Sequence, residues 1–583
     1  MADDFEGLGL FNGKDSPTPE IAWSFYERGL LFNRQINLDD TIRSNRNFYI
    51  GKQWEGVSAN GLPTPVFNVL KRVVGFTVAT ITADSLKLNA STQENTSNKK
   101  ELAVIAGVVN DECAALMENN DVPAMSREYA RNAAIDGSGC MYSYWDPDVK
   151  VGGGVMGAVK TEIIQANRVI FGNPNDRSVQ AQPYIQIASR ELVRNAKRKA
   201  KANGCEDWQL IQADEAGDQT QDSAKRTDDK ATVLLTLWRD DESGEIWAYE
   251  SCQKCQIRKP WSLGIRLYPV CWLPWDYIQD CYHGEAMITG LIPNQIFINK
   301  AWAMSMLSIM RTAWPKVVYD KTKVRQWDNR VGGAIGVPGD VSTVAKILDP
   351  AAIDPQVSQL IRLAVEQTEQ SLGATAVALG DTRPDNTSAI VALQRAAATP
   401  NELTKQNLYK SIEDLFRIYI EFMAEYYDKR TVDLPTPEEV KAEFQMLGVE
   451  PPSTMPQEFD FSVLKENPMK LKLDVGASSY YSEIAAMQTL DNMLASGNIT
   501  KLQYVERLPD SYMPAKRELE EEFRKELEQQ MAMQGMAGVP GGQPGAGPEG
   551  GEMTAQAGSL VPEVPTGGGY GALQRAINAG QNF

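Results

Sequence analysis

Pro293-Asn-Gln-Ile-Phe-Ile-Asn-Lys-Ala-Trp-Ala-Met-Ser-Met-Leu-Ser-Ile-Met-Arg-Thr-Ala-Trp-Pro315 is the segment on which the architecture turns. Proline suits the first turn of a helix, and the residue before a second proline is pushed out of helical geometry, so the helix runs from about 293 to 313. It is apolar nearly all round, with Ile296, Phe297, Ile298, Trp302, Met304, Met306, Leu307, Ile309 and Met310. Only a narrow small-residue stripe interrupts it, at Ala301, Ser305, Ser308 and Thr312. A helix with that circumference has to be covered on several sides. Its most apolar part, Ala301 to Met310, falls far short of the ~20 residues needed to span a bilayer.

Downstream, a second helix has Asp354 as its cap and Pro355 in its first turn. It carries Val357, Leu360, Ile361, Ala364, Val365 and Thr368 on one face and Gln359, Arg362, Glu366, Glu369 and Gln370 on the other. Residues 316 to 350, between the two helices, are β-prone and hold Lys316, Lys321, Lys323, Arg325 and Arg330. Two helices therefore bracket a small basic module. After Leu372 the loop Gly373 to Thr387 exceeds the ~4–6 residues usual between packed elements. Its centre, Gly380-Asp-Thr-Arg-Pro-Asp-Asn386, is polar. Helix resumes at Ser388, kinks or restarts at the capping-box pattern Thr399-Pro-Asn-Glu402, and continues through Leu408, Leu415, Phe422 and Tyr426. A β-prone stretch, Phe459 to Val475, precedes a helix from Tyr481 to Leu508. Residues 516 to 530 are mostly charged around a narrow stripe of Leu519, Phe523 and Leu527, which needs a partner helix. From Gly535 to Gly571, 13 Gly and 5 Pro in 37 residues mark a flexible tail.

Upstream, helical patterns cover about 18 to 55, 66 to 82, 99 to 119 and 123 to 135, the last closed by Asp136-Gly-Ser-Gly139. Short β-like runs follow at 140 to 145, 155 to 165, 169 to 171 and 184 to 188. A polar excursion fills 204 to 230. Two further runs, 232 to 238 and 246 to 250, flank Asp240-Asp-Glu-Ser-Gly244, which is hairpin chemistry, and another spans 265 to 272. The shift from mixed structure to mainly helical structure near residue 283 is the strongest boundary in the chain.

Composition narrows the chemistry. The chain has 583 residues with 58 Lys+Arg against 76 Asp+Glu, a formal charge of −18. That balance argues against wrapping duplex DNA through a basic surface, but not against letting DNA pass without sticking. With one histidine, His283, there is no two-His zinc site, and His283 reads as a turn residue. Seven scattered cysteines read as reduced thiols, and Cys252-Gln-Lys-Cys255 as a hairpin, not half a zinc knuckle. No Walker loop or dinucleotide fingerprint is present, so no metal and no cofactor is expected. The acidic N-terminus does not resemble an export signal. Two other classes stay open on the residues alone: a hydrolase with paired carboxylates such as Asp240 and Asp241, and a helical scaffold or adaptor that never meets DNA.

The order of elements resembles the portal proteins of tailed bacteriophages. The motifs carrying the likeness are Asn47-Phe-Tyr-Ile-Gly-Lys-Gln-Trp54, Asp136-Gly-Ser-Gly139, His283-Gly-Glu-Ala-Met-Ile-Thr-Gly-Leu-Ile-Pro-Asn-Gln295 with Asn299, and the loop before Asn386-Thr-Ser-Ala-Ile-Val391. The likeness covers roughly residues 30 to 530, with the Gly-rich tail as a departure that the family pattern does not require. It implies an α+β fold: a mixed α/β wing with long stem and tunnel helices, a small clip and a C-terminal helical crown. Laid on this chain, the wing takes 1–285, a stem helix 286–313, the clip 314–351, a second stem helix 352–372 and the tunnel loop 373–387. The tunnel helix and the rest of the wing take 388–480, the crown 481–530 and the flexible tail 531–583.

The resemblance further implies a non-enzymatic homo-oligomeric ring, commonly of twelve copies, made in the host cytoplasm and built into the virion at one capsid vertex. Its partners would be the major capsid protein, the terminase large subunit, neck or head-tail adaptor proteins, and double-stranded DNA in the channel, with no membrane. Asp381, Thr382, Arg383, Asp385 and Asn386 would face the DNA. Lys316, Lys321, Lys323, Arg325 and Arg330 would dock partners, and Trp302, Leu307 and Ile309 would pack between subunits. Twelve copies would carry a formal −216, so acidic channel walls would repel phosphate and let the duplex slide.

Overall fold

The computed structural model describes residues 17–58, 61–83, 86–91, 99–152, 155–214, 230–313, 317–324, 344–347, 355–370, 401–437, 454–465, 469–475, 480–496 and 499–507, with a few single positions besides. The chain forms two compact units, Met1–Ala486 and Met487–Phe583. The fold is α+β.

Helices dominate the first 140 residues: α1 (Pro19–Gln35), α2 (Leu38–Ile50), α3 (Val69–Ile81), α4 (Lys99–Asn119) and α5 (Val122–Asp136), with strand β1 (Leu86–Ser91) between α3 and α4. The expected single helix from 18 to 55 is two. Asn37 takes a left-handed φ of 52°, which breaks the helix between α1 and α2, and Gly51 at φ 93° ends α2. Strands follow: β2 (Ser138–Gly152), β3 (Val155–Ile164), β4 (Val169–Phe171), β5 (Tyr184–Leu192), then helix α6 (Val193–Ala202), and β6 (Lys230–Arg239), β7 (Ile246–Ser251), β8 (Gln256–Ser262) and β9 (Val270–Pro274). They make a three-stranded sheet in the order β3-β2-β9 and a five-stranded sheet in the order β4-β5-β6-β7-β8. The expected strand from 265 to 272 begins only at Val270, and β8 was not foreseen. β8 contains Pro260 and stands at the sheet edge, where a residue without an N–H is tolerated.

After residue 283 come α7 (Ile292–Ala313), the short strands β10 (Val317–Tyr319) and β11 (Ala345–Ile347), α8 (Pro355–Gln370) and α9 (Glu402–Tyr426). Strands β12 (Lys429–Pro435), β13 (Thr454–Asp460) and β14 (Lys470–Val475) and helices α10 (Tyr480–Ala495) and α11 (Lys501–Arg507) complete the described chain. β12 pairs antiparallel with β13, and β14 with β1, nearly 400 residues away in sequence. The main core is likewise shared. Leu408, Ile412, Phe416, Tyr419 and Phe422 from α9 are buried in one cluster with Tyr129, Met141, Leu237 and Trp272. Tyr129 Oη shares a 2.6 Å hydrogen bond with Ser411, and Tyr419 Oη a 2.8 Å bond with Thr161, so the buried hydroxyls lock α9 to α5 and to β3. In the second unit α11 starts with a reciprocal cap. Thr500 N–H donates to Gln503 Oε1 and Gln503 N–H to Thr500 Oγ1.

Candidate functional site

Three of the motifs quoted above, far apart in sequence, meet at the foot of α7. Gly51 turns the chain at the end of α2, and Lys52 N–H closes onto Asn47 O at 2.8 Å. The following segment folds back along the helix. Gln53 Nε2 donates to Phe48 O (3.0 Å), Trp54 Nε1 to Pro65 O (2.9 Å) and Asn68 Nδ2 to Tyr49 O (2.8 Å). Asn68 Oδ1 then caps α3 by accepting from Lys71 N–H at 3.0 Å.

Into this folded-back segment α7 projects two buried amides one turn apart, Gln295 and Asn299. Asn299 Nδ2 donates to Gln53 Oε1 at 2.6 Å, and Gln295 Nε2 donates to Asn299 Oδ1 (3.0 Å) and to Phe67 O (2.6 Å). Val69 N–H donates to Gln295 Oε1 at 3.1 Å. The amides are thereby paired out of water, and the start of α7 is fixed to α2 and α3.

A second knot lies beside it. Arg46 forks onto Asp136 through Nε (2.8 Å) and Nη2 (2.6 Å), while Asn45 Nδ2 donates to Ile135 O and Thr289 Oγ1, both at 2.9 Å. The bond to Asp136 raises the Arg46 pKa, against the opposing effect of burial. Gly137 takes φ 93°, and a Cβ there would stand 2.3 Å from Gly284 O. Ser138 Oγ accepts from Gly284 N–H at 2.9 Å. The Asp136-Gly-Ser-Gly139 turn and His283-Gly284 therefore interlock, with no room for a side chain at Gly137 or Gly284.

His283 is buried against Tyr282 and Trp272, at ring-centroid distances of 4.0 and 5.5 Å. Burial lowers its pKa to about 3, so the ring is neutral at physiological pH and packs as an aromatic. Cys252 and Cys255 close a hairpin turn, with Cys252 N–H on Cys255 O at 2.7 Å. Desolvation pushes their thiols up to about 12 and about 11. Among the described residues no group of three or more His, Cys, Asp or Glu is arranged to hold a metal ion. Asp240 is occupied as a turn former, accepting from Ser243 N–H (3.0 Å) and Ser243 Oγ (2.8 Å).

Beyond its anchor α7 packs against α8 and exposes much of its apolar circumference. Met304 is 67% and Ile309 56% exposed, and Leu360 and Leu363 on α8 are about half exposed. Leu307 is half-buried, and Trp302 stacks on Phe67 of the same chain at 4.6 Å. Between the two helices β10 pairs with β11, Val317 opposite Ile347 and Tyr319 opposite Ala345. Asp320 then turns the chain, accepting from Thr322 N–H at 2.9 Å, and its pKa is lowered by hydrogen bonds from Thr322. Lys321 and Lys323 are exposed on this turn, Lys323 lying 3.8 Å from Asp320. Lys316, Arg325 and Arg330, and the loop residues Asp381, Thr382, Arg383, Asp385 and Asn386, lie outside the described residues. No helix of the described residues is long and apolar enough to cross a membrane.

Helices α7 and α8 thus bracket the paired strands β10 and β11. Residues 185–557 match the phage P22-like portal protein family, nearly two thirds of the chain, which therefore belongs to that family. Among individual curated proteins none matches significantly. The matched span runs into the Gly-rich tail as far as residue 557. A portal protein is a structural component of the phage virion.

The roles of Gln53, Gln295 and Asn299 were not foreseen, although the signal was present. Two amides at i and i+4 on an otherwise apolar helix have to find partners if buried.

Proposed function

We propose that the chain forms a closed ring, of twelve copies, at one vertex of the capsid, and that double-stranded DNA enters during packaging and leaves during ejection through its centre. The observation that carries this reading is the uncovered apolar surface of α7 and α8. Full burial of a Leu, Ile or Met side chain is worth about 1.5–3 kcal/mol, so covering the half-exposed Met304, Ile309, Met310, Leu360 and Leu363 contributes about 4–8 kcal/mol per interface before ordering costs. A neighbouring copy in a ring supplies that cover, through a surface that includes Trp302, Leu307 and Ile309.

On this reading residues 286–313 and 352–372 are the stem and 314–351 the clip, where Lys316, Lys321, Lys323, Arg325 and Arg330 meet the terminase large subunit and later the neck adaptors. The wing, from 1–285 and part of 388–480, faces the major capsid protein, with residues 481–530 as the crown and 531–583 as a flexible tail. The loop 373–387 narrows the channel. Asp381 and Asp385 keep contacts with the duplex transient, while Arg383, Thr382 and Asn386 touch phosphate or a neighbouring carboxylate. The protein is made in the host cytoplasm and carries no catalytic site. Deleting Asp381 to Asp385 tests the channel assignment: rings and procapsids should form, and genome packaging or retention should fail. Normal packaging with filled heads that stay filled would overturn it.

A further inference from the structure

Helix α6 runs against the acidic character of the chain. Val193-Arg-Asn-Ala-Lys-Arg-Lys-Ala-Lys-Ala202 holds five basic residues and no acidic one, in a protein of net charge −18. The helix rests on the five-stranded sheet through Ala196 and Ala200, both fully buried in a small cluster with Val233, Cys252 and Ile257. At 100° per residue, Arg194, Lys197, Arg198 and Lys201 fall within one arc of about 100° turned away from those alanines. Lys199, on the other flank, is engaged by Glu191 at 2.7 Å and Glu250 at 3.9 Å. The other four have no carboxylate within 4.0 Å among the described residues, and Lys201 instead lies 5.8 Å from the Trp208 ring centroid. Arg194, Arg198 and Lys201 are exposed and Lys197 half-exposed.

We infer that this stripe is a contact for the phosphate backbone of duplex DNA, separate from the proposed channel loop; the inference rests on the reading that the protein handles double-stranded DNA. The chemistry of the face selects the partner. Protein interfaces are depleted in Lys and centred on buried aromatic or apolar anchors, and the stripe offers only cations. Single-stranded nucleic acid is held by successive rings on which bases stack, whereas among the described residues the stripe is bordered by a single ring, Trp208, half-buried beside Lys201. Four cations over about 10 Å of helix run beside about three phosphates of one DNA strand, a sequence-independent contact.

The test is fluorescence anisotropy of a labelled duplex of about 30 base pairs with the full-length assembled protein, from about 50 to 200 mM salt. Each phosphate contact adds about 0.9 to the slope of log affinity against log salt. Over that fourfold range three contacts make the wild type lose about 40-fold more affinity than the variant R194Q/K197Q/R198Q/K201Q. The single substitutions K197Q and R198Q should each flatten the slope by about 0.9. A control with the same charge loss elsewhere, K52Q/R127Q/K410Q/K429Q, should keep the wild-type slope. Failure of the wild type to bind, or equal slopes for wild type and stripe variant, would overturn the inference. Displacement of the duplex by soluble polyglutamate at matched charge would also overturn it, in favour of an acidic protein surface. A protein that failed to form rings yet bound duplex through these residues would refute the ring and leave this contact standing.

Discussion

Replacing Asn299 by Leu isolates what the buried amides do for α7. The two side chains are similar in volume, so packing around the foot of α7 is largely kept. Two hydrogen bonds go: Gln53 Oε1 loses its 2.6 Å donor, and one N–H of Gln295 Nε2 loses its 3.0 Å acceptor while the other stays on Phe67 O. A buried polar group left unpaired costs about 1–3 kcal/mol, so the substitution should destabilise the anchor by about 2–6 kcal/mol. At 1.4 kcal/mol per factor of ten, opening of the segment from Phe48 to Val69 should become at least about 30-fold more frequent. Hydrogen exchange of peptides covering residues 48–69, measured with mass spectrometry, reads this directly. A double-mutant cycle with Gln53→Leu should return a coupling of about 0.5–3 kcal/mol, because the second change removes the orphan left by the first. Unchanged protection of 48–69 in Asn299→Leu, or strict additivity in the cycle, would refute the claim that this network holds α7 to α2 and α3.

Three further outcomes are expected. Burial lowers His283 to about 3 from an ordinary 6.5, so the unfolded chain takes up a proton first; its contribution is complete above pH 6.5 and falls away towards pH 3, with about 2 kcal/mol lost at pH 5. Thermal melts from pH 7 to pH 5 should show that decline in the wild type and a flatter response in His283→Phe. Gly137→Ala meets both a φ of 93° and a carbonyl 2.3 Å from the new Cβ. The backbone strain alone is about 1–3 kcal/mol, and soluble expression should fall far below that of Gly244→Ala, which meets strain at φ 70° but open space. Substituting Lys321, Lys323 and Arg325 by Glu should leave assembly intact and weaken pull-down of the terminase large subunit; undiminished capture would move the docking surface elsewhere.

How legible the fold was depended on the range of the interactions behind each element. Helix α4, strand β4 and the stop at Gly137 follow from local periodicity and punctuation, and they stand where the residues predicted them. Strand β1 escaped notice because Leu86-Lys-Leu-Asn-Ala-Ser91 becomes a strand only by pairing with Lys470 to Val475. The same holds for β12, an alternating stretch whose partner β13 begins at Thr454. The break between α1 and α2 turned on one residue, Asn37, whose left-handed conformation no hydrophobic pattern announces. At the candidate site, the apolar circumference of α7 was plain from composition. The anchor was visible only as separate motifs, since nothing local ties Gln53 to Asn299 across 246 positions.

The mass of the purified, full-length protein under native conditions tests the central claim most directly. Twelve copies of the 64.4 kDa chain give about 773 kDa, and native mass spectrometry should show a discrete closed species at that mass. Leu307→Asp and Ile309→Asp, on the apolar circumference of α7, should reduce it to small oligomers or aggregates. A wild-type protein that stays monomeric or dimeric, or rings that persist in both variants, would contradict the account.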